Sequence, residues 1–230
     1  MSPSTAPQPV APAPIAVAPT TRTIRIRVFV DYWNLQLCMN EREAHHNRTT
    51  EEKFRIDWNK LPAVLIAEAA ALMGLQSHSY EGMAVYSSFD PSSADGGSYR
   101  KWLLTWLDRQ PGVQVTCFER RRKHAPKCRR CHRTITNCPH ADCNERMEGT
   151  VEKGVDTAIA TDMIRLAWEQ AYDVAILSCS DADLVPAVSF LDLRGFKIIN
   201  AGFPPKGTEL SRACWATIDV FKVREQLRRQ

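Results

Sequence analysis

Four aspartates stand where their carboxylates could share one metal ion. Asp31 ends one apolar run, Asp181 and Asp183 follow another, and Asp156 opens a helix-like pattern. If the two apolar runs form neighbouring parallel strands, their carboxyl ends meet at one edge of a sheet. The four acids would then converge in one crevice.

Carboxylates held together in a cleft repel each other and raise each other's pKa, and a divalent cation removes that cost. Mg²⁺ prefers oxygen ligands and pairs with phosphate oxygens. It can also lower the pKa of a bound water and neutralise charge at phosphorus. Asn34, three residues after Asp31, could orient a water or a carboxylate. The pattern therefore predicts a divalent-metal site suited to phosphorus chemistry.

Helix capping is the alternative for three of these acids. Asp156, Asp181 and Asp183 each occupy a position that a helix N-cap could take. Caps have no reason to cluster at the ends of apolar strands, so the combination favours a site.

Four of the eight cysteines lie within 16 residues, in the pattern Cys128-x₂-Cys131-x₆-Cys138-x₄-Cys143. A CxxC turn directs two sulfurs at one ion, and a second pair completes a tetrahedron around Zn²⁺. Bound zinc would order a segment that has little apolar content of its own. His132 or His140 could replace one cysteine, and disulfide pairing is the alternative to zinc.

The same segment carries the basic charge of the chain. Between positions 120 and 133 there are eight Lys or Arg and no acid, whereas elsewhere acids outnumber basic residues by 26 to 22. A single basic patch favours a polyanionic partner, although a solvated charged loop is the simpler alternative. The residues expected to contact phosphates of such a partner, without reading sequence, are Arg120, Arg121, Arg122, Lys123, Arg129 and Arg130.

Alternating strand and helix patterns surround these residues. The predicted strands are 24–30, 83–87, 113–118, 174–177 and 196–199. The predicted helices are 34–43, 57–73, 99–107, 156–172 and 182–193, with Asp57 as the cap of the second. Such alternation predicts an α/β fold, a parallel sheet with helices on both faces.

Composition and length restrict the class of protein. With 230 residues, 44% hydrophobic and 24% charged, the chain is typical of a soluble globular protein, and no apolar run suggests a membrane span. Residues 1–22 are predicted to be a disordered Pro/Ala-rich leader, and 23–230 one domain carrying an insert at 120–150. Because the leader lacks the features of a secretory signal, we expect a reducing, cytoplasmic location, where clustered cysteines bind metal.

Three segments resemble, in order, the motifs of the NYN domain family, LabA-like proteins within the PIN-like nuclease superfamily. They are Phe29–Leu35, Glu152–Asp162 and Ser180–Pro186, the last followed by Arg194-Gly195 and an apolar strand. The resemblance covers roughly residues 24–220. Three long motifs in order are far more specific than one acidic pair.

This resemblance implies a PIN-like sheet of strand order 3-2-1-4-5, which would place the first and fourth strands side by side. It also implies a Mg²⁺ or Mn²⁺ site, ribonuclease activity and the site residues Asp31, Asn34, Asp156, Asp181 and Asp183. Asp162 matches the second motif as well, but it lies about 240° around the helix from Asp156. We therefore assign Asp162 a supporting or structural role.

Two departures from the family pattern stand out. The family usually has Ser-Gly-Asp-Ser-Asp where this chain has Cys179-Ser180-Asp181-Ala182-Asp183. The substitutions remove a glycine and a serine hydroxyl but leave both carboxylates. The insert at 120–150 also looks longer than the family minimum.

We therefore predict a metal-dependent ribonuclease that hydrolyses phosphodiesters of single-stranded or looped RNA, whose phosphates are accessible to a cleft. The basic, zinc-bound insert would grip the RNA backbone. The alternative is a non-catalytic RNA-binding or adaptor module on the same fold. A phosphatase or nucleotidyl-transfer domain using Asp181 and Asp183 is less favoured, because such phosphatases carry their aspartate pair after the first strand. The sequence does not decide whether the chain forms a homo-oligomer.

Overall fold

The computed structural model describes residues 22–140, 142–143 and 145–230. Apart from its last residue, the leader predicted at 1–22 lies outside this part of the chain. No helix within the described ranges combines the length and the apolar character needed to cross a membrane.

Eight strands and seven helices make up the described structure. The strands are β1 (Ile24–Asp31), β2 (His78–Phe89), β3 (Val113–Glu119), β4 (Arg121–Lys123), β5 (Gly149–Val151), β6 (Val174–Ser178), β7 (Lys197–Gly202) and β8 (Ala216–Asp219). The helices are α1 (Tyr32–Asn47), α2 (Leu61–Met73), α3 (Gly96–Thr105), α4 (Val155–Trp168), α5 (Val185–Leu193), α6 (Thr208–Ala213) and α7 (Arg224–Leu227).

The main sheet has six parallel strands in the order β3-β2-β1-β6-β7-β8. The five predicted strands are β1, β2, β3, β6 and β7, so the predicted order 3-2-1-4-5 is confirmed. The short strand β8, which the sequence pattern did not reveal, extends the sheet at one edge. β1 lies directly beside β6, with Phe29 opposite Leu177 and Val30 opposite Ser178.

Alternation along β1 divides the core between the two faces of the sheet. Val28 and Val30 pack into one fully buried cluster, together with residues of α1 and α2. Phe29 packs into a second cluster on the opposite face, with residues of α4 and α5. Both faces are covered by helices, as expected for strands without a polar side. Asp31, two residues beyond Phe29, therefore points towards the α4 side of the sheet.

The second predicted helix begins later than expected. It begins at Leu61, after the non-capping residue Lys60, and carries a proline, Pro62, in its first turn. Proline is favoured there because its missing N–H would be unpaired anyway. Asp57 is not the cap: its side chain accepts a hydrogen bond from the Asn59 backbone N–H, in a turn that precedes the helix.

The insert leaves the sheet after β3 and returns before α4. Its two ends pair as the antiparallel strands β4 and β5, with Arg121 opposite Val151 and Lys123 opposite Gly149. We call this pair the stem of the insert. The stem is hydrogen-bonded to the end of β2, because Thr150 Oγ1 donates to Asp90 Oδ2 over 2.7 Å.

The C-terminal segment is fastened to α1 by a buried acid. Glu43 is only 3% exposed and accepts hydrogen bonds from Arg224 and Arg228. Leu227 is fully buried, and its carbonyl accepts from the Asp57 backbone N–H at 2.7 Å. The last turn of the chain is thus part of the core structure.

Candidate functional site

Asp31 lies at the junction of β1 and α1, at the carboxyl edge of the sheet. It is the N-cap of α1, where its Oδ1 accepts a hydrogen bond from the Asn34 backbone N–H at 3.0 Å. The side chain is only 5% exposed. Capping and a metal-binding role are compatible, because the cap bond engages one carboxylate oxygen and leaves the other directed elsewhere.

Three side chains meet at this edge of the sheet. One ligand atom each from Asp31, Asp156 and Cys179 lie within 4.8 Å of one another, and within the described ranges no other group of three His, Cys, Asp or Glu does so. Cys179 Sγ lies 3.8 Å from Asp31 Oδ2. Of the residues predicted for the site, the structure therefore brings Asp31 and Asp156 together, and it adds the thiol of Cys179, to which the sequence analysis assigned no role.

The electrostatics of this group favour a bound cation. Burial above all, together with the nearby carboxylates of Glu152 and Asp156, raises the pKa of Asp31 to about 6 against the lowering effect of the Asn34 N–H. Burial likewise raises the pKa of Asp156, followed by repulsion from Asp181, Glu152 and Asp183. Carboxylates that repel each other in a partly buried cleft are the surroundings in which a divalent ion is stabilising.

Asp181 and Asp183 lie close to this group without joining it. Asp181 caps the 3-10 turn Ala182–Leu184, because its Oδ1 accepts from the Asp183 backbone N–H at 2.9 Å. Their charges still act on Asp156, as its raised pKa shows. Asp183 also lines, with Asp156 and Glu152, a cleft of about 500 Å³.

The Asn34 side chain has its hydrogen-bond partner within α1. Its Oδ1 is 3.7 Å from the Cys38 thiol, on the same face of α1. Only its backbone N–H contacts Asp31.

Glu152 belongs to the site although no role was assigned to it from the sequence. It follows β5, lines the cleft and raises the pKa of both Asp31 and Asp156. Its carboxylate accepts a short hydrogen bond from Ser88 Oγ, and Ser88 Oγ in turn accepts from Arg120 Nε at 3.0 Å. The sequence did contain a signal for this role, because Glu152 is the first residue of the second motif. Its distance from Asp31, however, depends on the stem.

Arg120 links the insert to the wall of the site. Besides its contact with Ser88, its guanidinium lies 5.5 Å from the centre of the Trp33 ring. The Trp33 indole N–H donates to the Ser88 carbonyl at 2.7 Å. Arg120 therefore supports the site rather than extending freely into solvent.

The other predicted phosphate contacts lie on the insert. Arg122 pairs with Glu148 at 3.0 Å, with both side chains exposed. Arg121, Lys123, Arg129 and Arg130 are exposed, and no described acid lies within ion-pair distance of them. Four cations are thus available to a polyanion.

The four clustered cysteines lie on two tight turns. Cys128 and Cys131 belong to a turn closed by the bridge between Lys127 and Thr134, and the bridge between Asn137 and Arg146 encloses Cys138 and Cys143. Hydrogen bonds from the backbone of Cys131 and Arg130 lower the pKa of the Cys128 thiol. All eight cysteines are free thiols. The described residues of the insert do not bring three potential ligands within 4.8 Å of one another.

Asp162, which lies on α4, has its own partners on β2 and α4. Its carboxylate accepts from the Tyr86 hydroxyl at 2.8 Å and forms an ion pair with Arg165 at 3.1 Å. Both contacts are structural, and neither belongs to the cleft.

Comparison with known proteins identifies the family and a solved structure of similar fold. The model of the NYN domain matches residues 25–221. No match was found among curated proteins. The crystal structure of a protein of unknown function from Vibrio parahaemolyticus resembles this fold, with a TM-score of 0.51 and 17% sequence identity over 86% of this chain and 93% of that chain. At this identity the similarity concerns the fold alone.

Proposed function

Since the chain belongs to the NYN domain family, whose domains are nuclease-like and RNA-associated, we propose that it is a divalent-metal-dependent ribonuclease. The observation that carries the proposal is the convergence of the Asp31 and Asp156 carboxylates at the carboxyl edge of β1 and β6. In parallel α/β sheets this edge, beside the strand where the order reverses, is where ligands bind.

The donor set fits a divalent cation. Asp31 and Asp156 would hold the ion, with Asp181 or Asp183 completing the set when substrate is present. When bound, such an ion lowers the pKa of a water molecule and neutralises charge on a phosphate. Mg²⁺ and Mn²⁺ are the ions expected for carboxylate oxygens.

The remaining residues of the site act on the substrate and on protons. Asp183 is exposed at the mouth of the cleft. There it could orient the attacking water or accept its proton. Glu152 is held in place by its hydrogen bond with Ser88. Its negative charge would repel RNA phosphates from the inner wall of the cleft. The RNA backbone would therefore approach the ion from the side of the cleft away from Glu152.

The insert supplies the attraction that the acidic cleft lacks. Arg121, Lys123, Arg129 and Arg130 would contact RNA phosphates. We further propose that Zn²⁺ holds these residues in place through Cys128, Cys131, Cys138 and Cys143. The N–H groups directed at the Cys128 sulfur support this, because they stabilise the thiolate that a zinc ion binds.

Labelled single-stranded RNA tests the proposal. Purified protein should cleave it with Mn²⁺ or Mg²⁺ and not with chelator, and activity should return when the ion is restored. Binding without cleavage under all these conditions would instead support the adaptor module on the same fold. Cleavage that survives chelation would contradict the metal-dependent proposal.

A further inference from the structure

The thiol of Cys179 forms part of the inner wall of the site. Cys179 follows β6 directly and is only 1% exposed. Its sulfur lies 3.8 Å from Asp31 Oδ2 and accepts a hydrogen bond from the Asp181 backbone N–H at 3.4 Å. It therefore contacts one predicted metal ligand directly and the backbone of another.

A thiol changes which ions such a site prefers. Carboxylate oxygens suit Mg²⁺ and Mn²⁺, whereas thiolates select softer ions such as Zn²⁺, and geometry and ligand type decide between them. The NYN family usually has serine at the position of Cys179. The substitution places a soft donor among hard ones in this particular chain.

We propose that Cys179 is a direct ligand for a thiophilic divalent cation, held together with Asp31 and Asp156. The proposal rests on the proposed function only in using the same site. When the sulfur–metal bond forms, the thiol proton passes to solvent. With a hard ion the thiol stays protonated and only donates to Asp31. The site can then hold two classes of ion, and Cys179 sets the preference between them.

The other buried thiols provide a matched control. Cys214 lies in the same core cluster, on the α4 side of the sheet. Only burial acts on its pKa, so no carboxylate influences it. A serine at position 214 should therefore leave metal binding unchanged.

Cd²⁺ is the probe, because cadmium–thiolate bonds absorb in the near ultraviolet. Cd²⁺ is titrated into the wild-type chain, Cys179→Ser and Cys214→Ser, all of which keep the four insert cysteines, so that the absorption of the insert is common to them. Wild type and Cys214→Ser should each bind one more Cd²⁺ ion per chain, with cadmium–thiolate absorption, than Cys179→Ser. Loss of an outer hydrogen bond alone weakens metal sites by about 10- to 100-fold, so loss of a direct thiolate should weaken Cd²⁺ binding at least about tenfold.

A second variant guards against misfolding of Cys179→Ser. The double change Asp31→Asn and Asp156→Asn keeps the thiol and should weaken the same Cd²⁺ equivalent. Equal Cd²⁺ titrations of Cys179→Ser and wild type, or an unchanged titration of the double variant, would overturn the proposal. RNA cleavage is measured separately. If Cd²⁺ binding differs between wild type and Cys179→Ser but the chain cleaves no RNA, only the ribonuclease proposal is refuted. If the chain cleaves RNA but the Cd²⁺ titrations are equal, only the proposal of a thiolate ligand is refuted.

Discussion

Asp156 and Asp162 lie six residues apart on α4 and face different surroundings. Asp156 contributes to the acidic group with Asp31, whereas Asp162 is bonded to Tyr86 and Arg165. Six residues turn a helix by about 240° beyond one full turn, which accounts for the separation. One helix thus provides both a site residue and its control.

Replacing Asp156 or Asp181 by asparagine should abolish most RNA cleavage. Either change preserves size while removing a charge that holds or neighbours the ion. A loss of about 4 kcal/mol of transition-state stabilisation would slow cleavage about a thousandfold. Initial rates on labelled RNA with Mn²⁺ measure this, and RNA binding should persist. Asp162→Asn should retain most of the activity and lose only stability; equal losses at all three positions would contradict the assignment.

Asp31→Asn should stabilise the metal-free protein at neutral pH. The raised pKa of Asp31 means that the folded state binds its proton more tightly than the unfolded state does. Stability from this group is therefore complete below the unfolded value near 3.8 and is lost as pH rises through about 6. The difference corresponds to about 3 kcal/mol, and asparagine still caps α1.

Urea unfolding in chelator measures this effect. The variant should be more stable than wild type at pH 7.5, and the two should be about equally stable near pH 3.8. If the variant is less stable than wild type at neutral pH, burial does not destabilise the charged form of Asp31. Adding Mn²⁺ should stabilise wild type more than the variant, because only wild type keeps the ligand.

Neutralising the insert should flatten the salt dependence of RNA binding. Replacing Arg121, Arg129 and Arg130 by glutamine removes three exposed cations. Removing one cation that binds a phosphate lowers the slope of log K against log salt by about 0.7 for single strands. Glutamine at the exposed residues Arg55, Lys101 and Arg109 removes the same charge elsewhere. If both triple variants change the slope equally, the insert has no special part in binding.

Protein purified without added metal should contain zinc that depends on the insert. Elemental analysis of the Cys128→Ser, Cys131→Ser double variant should show one equivalent less than wild type. Because the insert has little apolar core, its amides should also lose protection from hydrogen exchange, while those of β1 and β6 keep theirs. Measuring zinc in Cys179→Ser separates this equivalent from any ion at the acidic site. A disulfide between Cys128 and Cys131 would contradict the zinc proposal.

Glu43→Gln should destabilise the chain by about 2–3 kcal/mol. It leaves Arg224 and Arg228 without their buried partner, although both arginines retain some exposure, which limits the cost. Glu41→Gln is the control on the same helix, since its exposed pair with Lys206 should contribute below about 1 kcal/mol. Urea midpoints give both values, and equal effects would show that burial of Glu43 does not matter.

The fold was predictable where side-chain periodicity is strong. The alternation in β1 and the apolar run in β6 predicted the central pair of strands, and the motif resemblance supplied their order. The strands β4, β5 and β8 were missed. β4 is Arg-Arg-Lys with no buried face, β5 has only three residues and β8 only four, so none of them carries a readable pattern.

The location of the site at the ends of the strands was predictable, but its internal geometry was not. Asp31 and Asp156 follow from the rule that carboxyl ends converge, but the rule gives no distances. It could not show that the Asn34 side chain turns to Cys38, or that Cys179 lies beside Asp31. Glu152 directly follows β5, and the pairing of this short strand with the charged residues of β4 leaves no readable pattern in the sequence.

The stem has a consequence for how this protein could diversify. Strands β4 and β5 meet as an antiparallel pair, so the 25 residues between them, 124–148, begin and end side by side. A segment with adjoining ends can be lengthened, shortened or exchanged without moving the sheet that carries the acids. Under the proposed function, catalysis and RNA contact would thereby belong to separate parts of the chain, and grafting another loop onto this stem would change the RNA that is bound while leaving the acids in place.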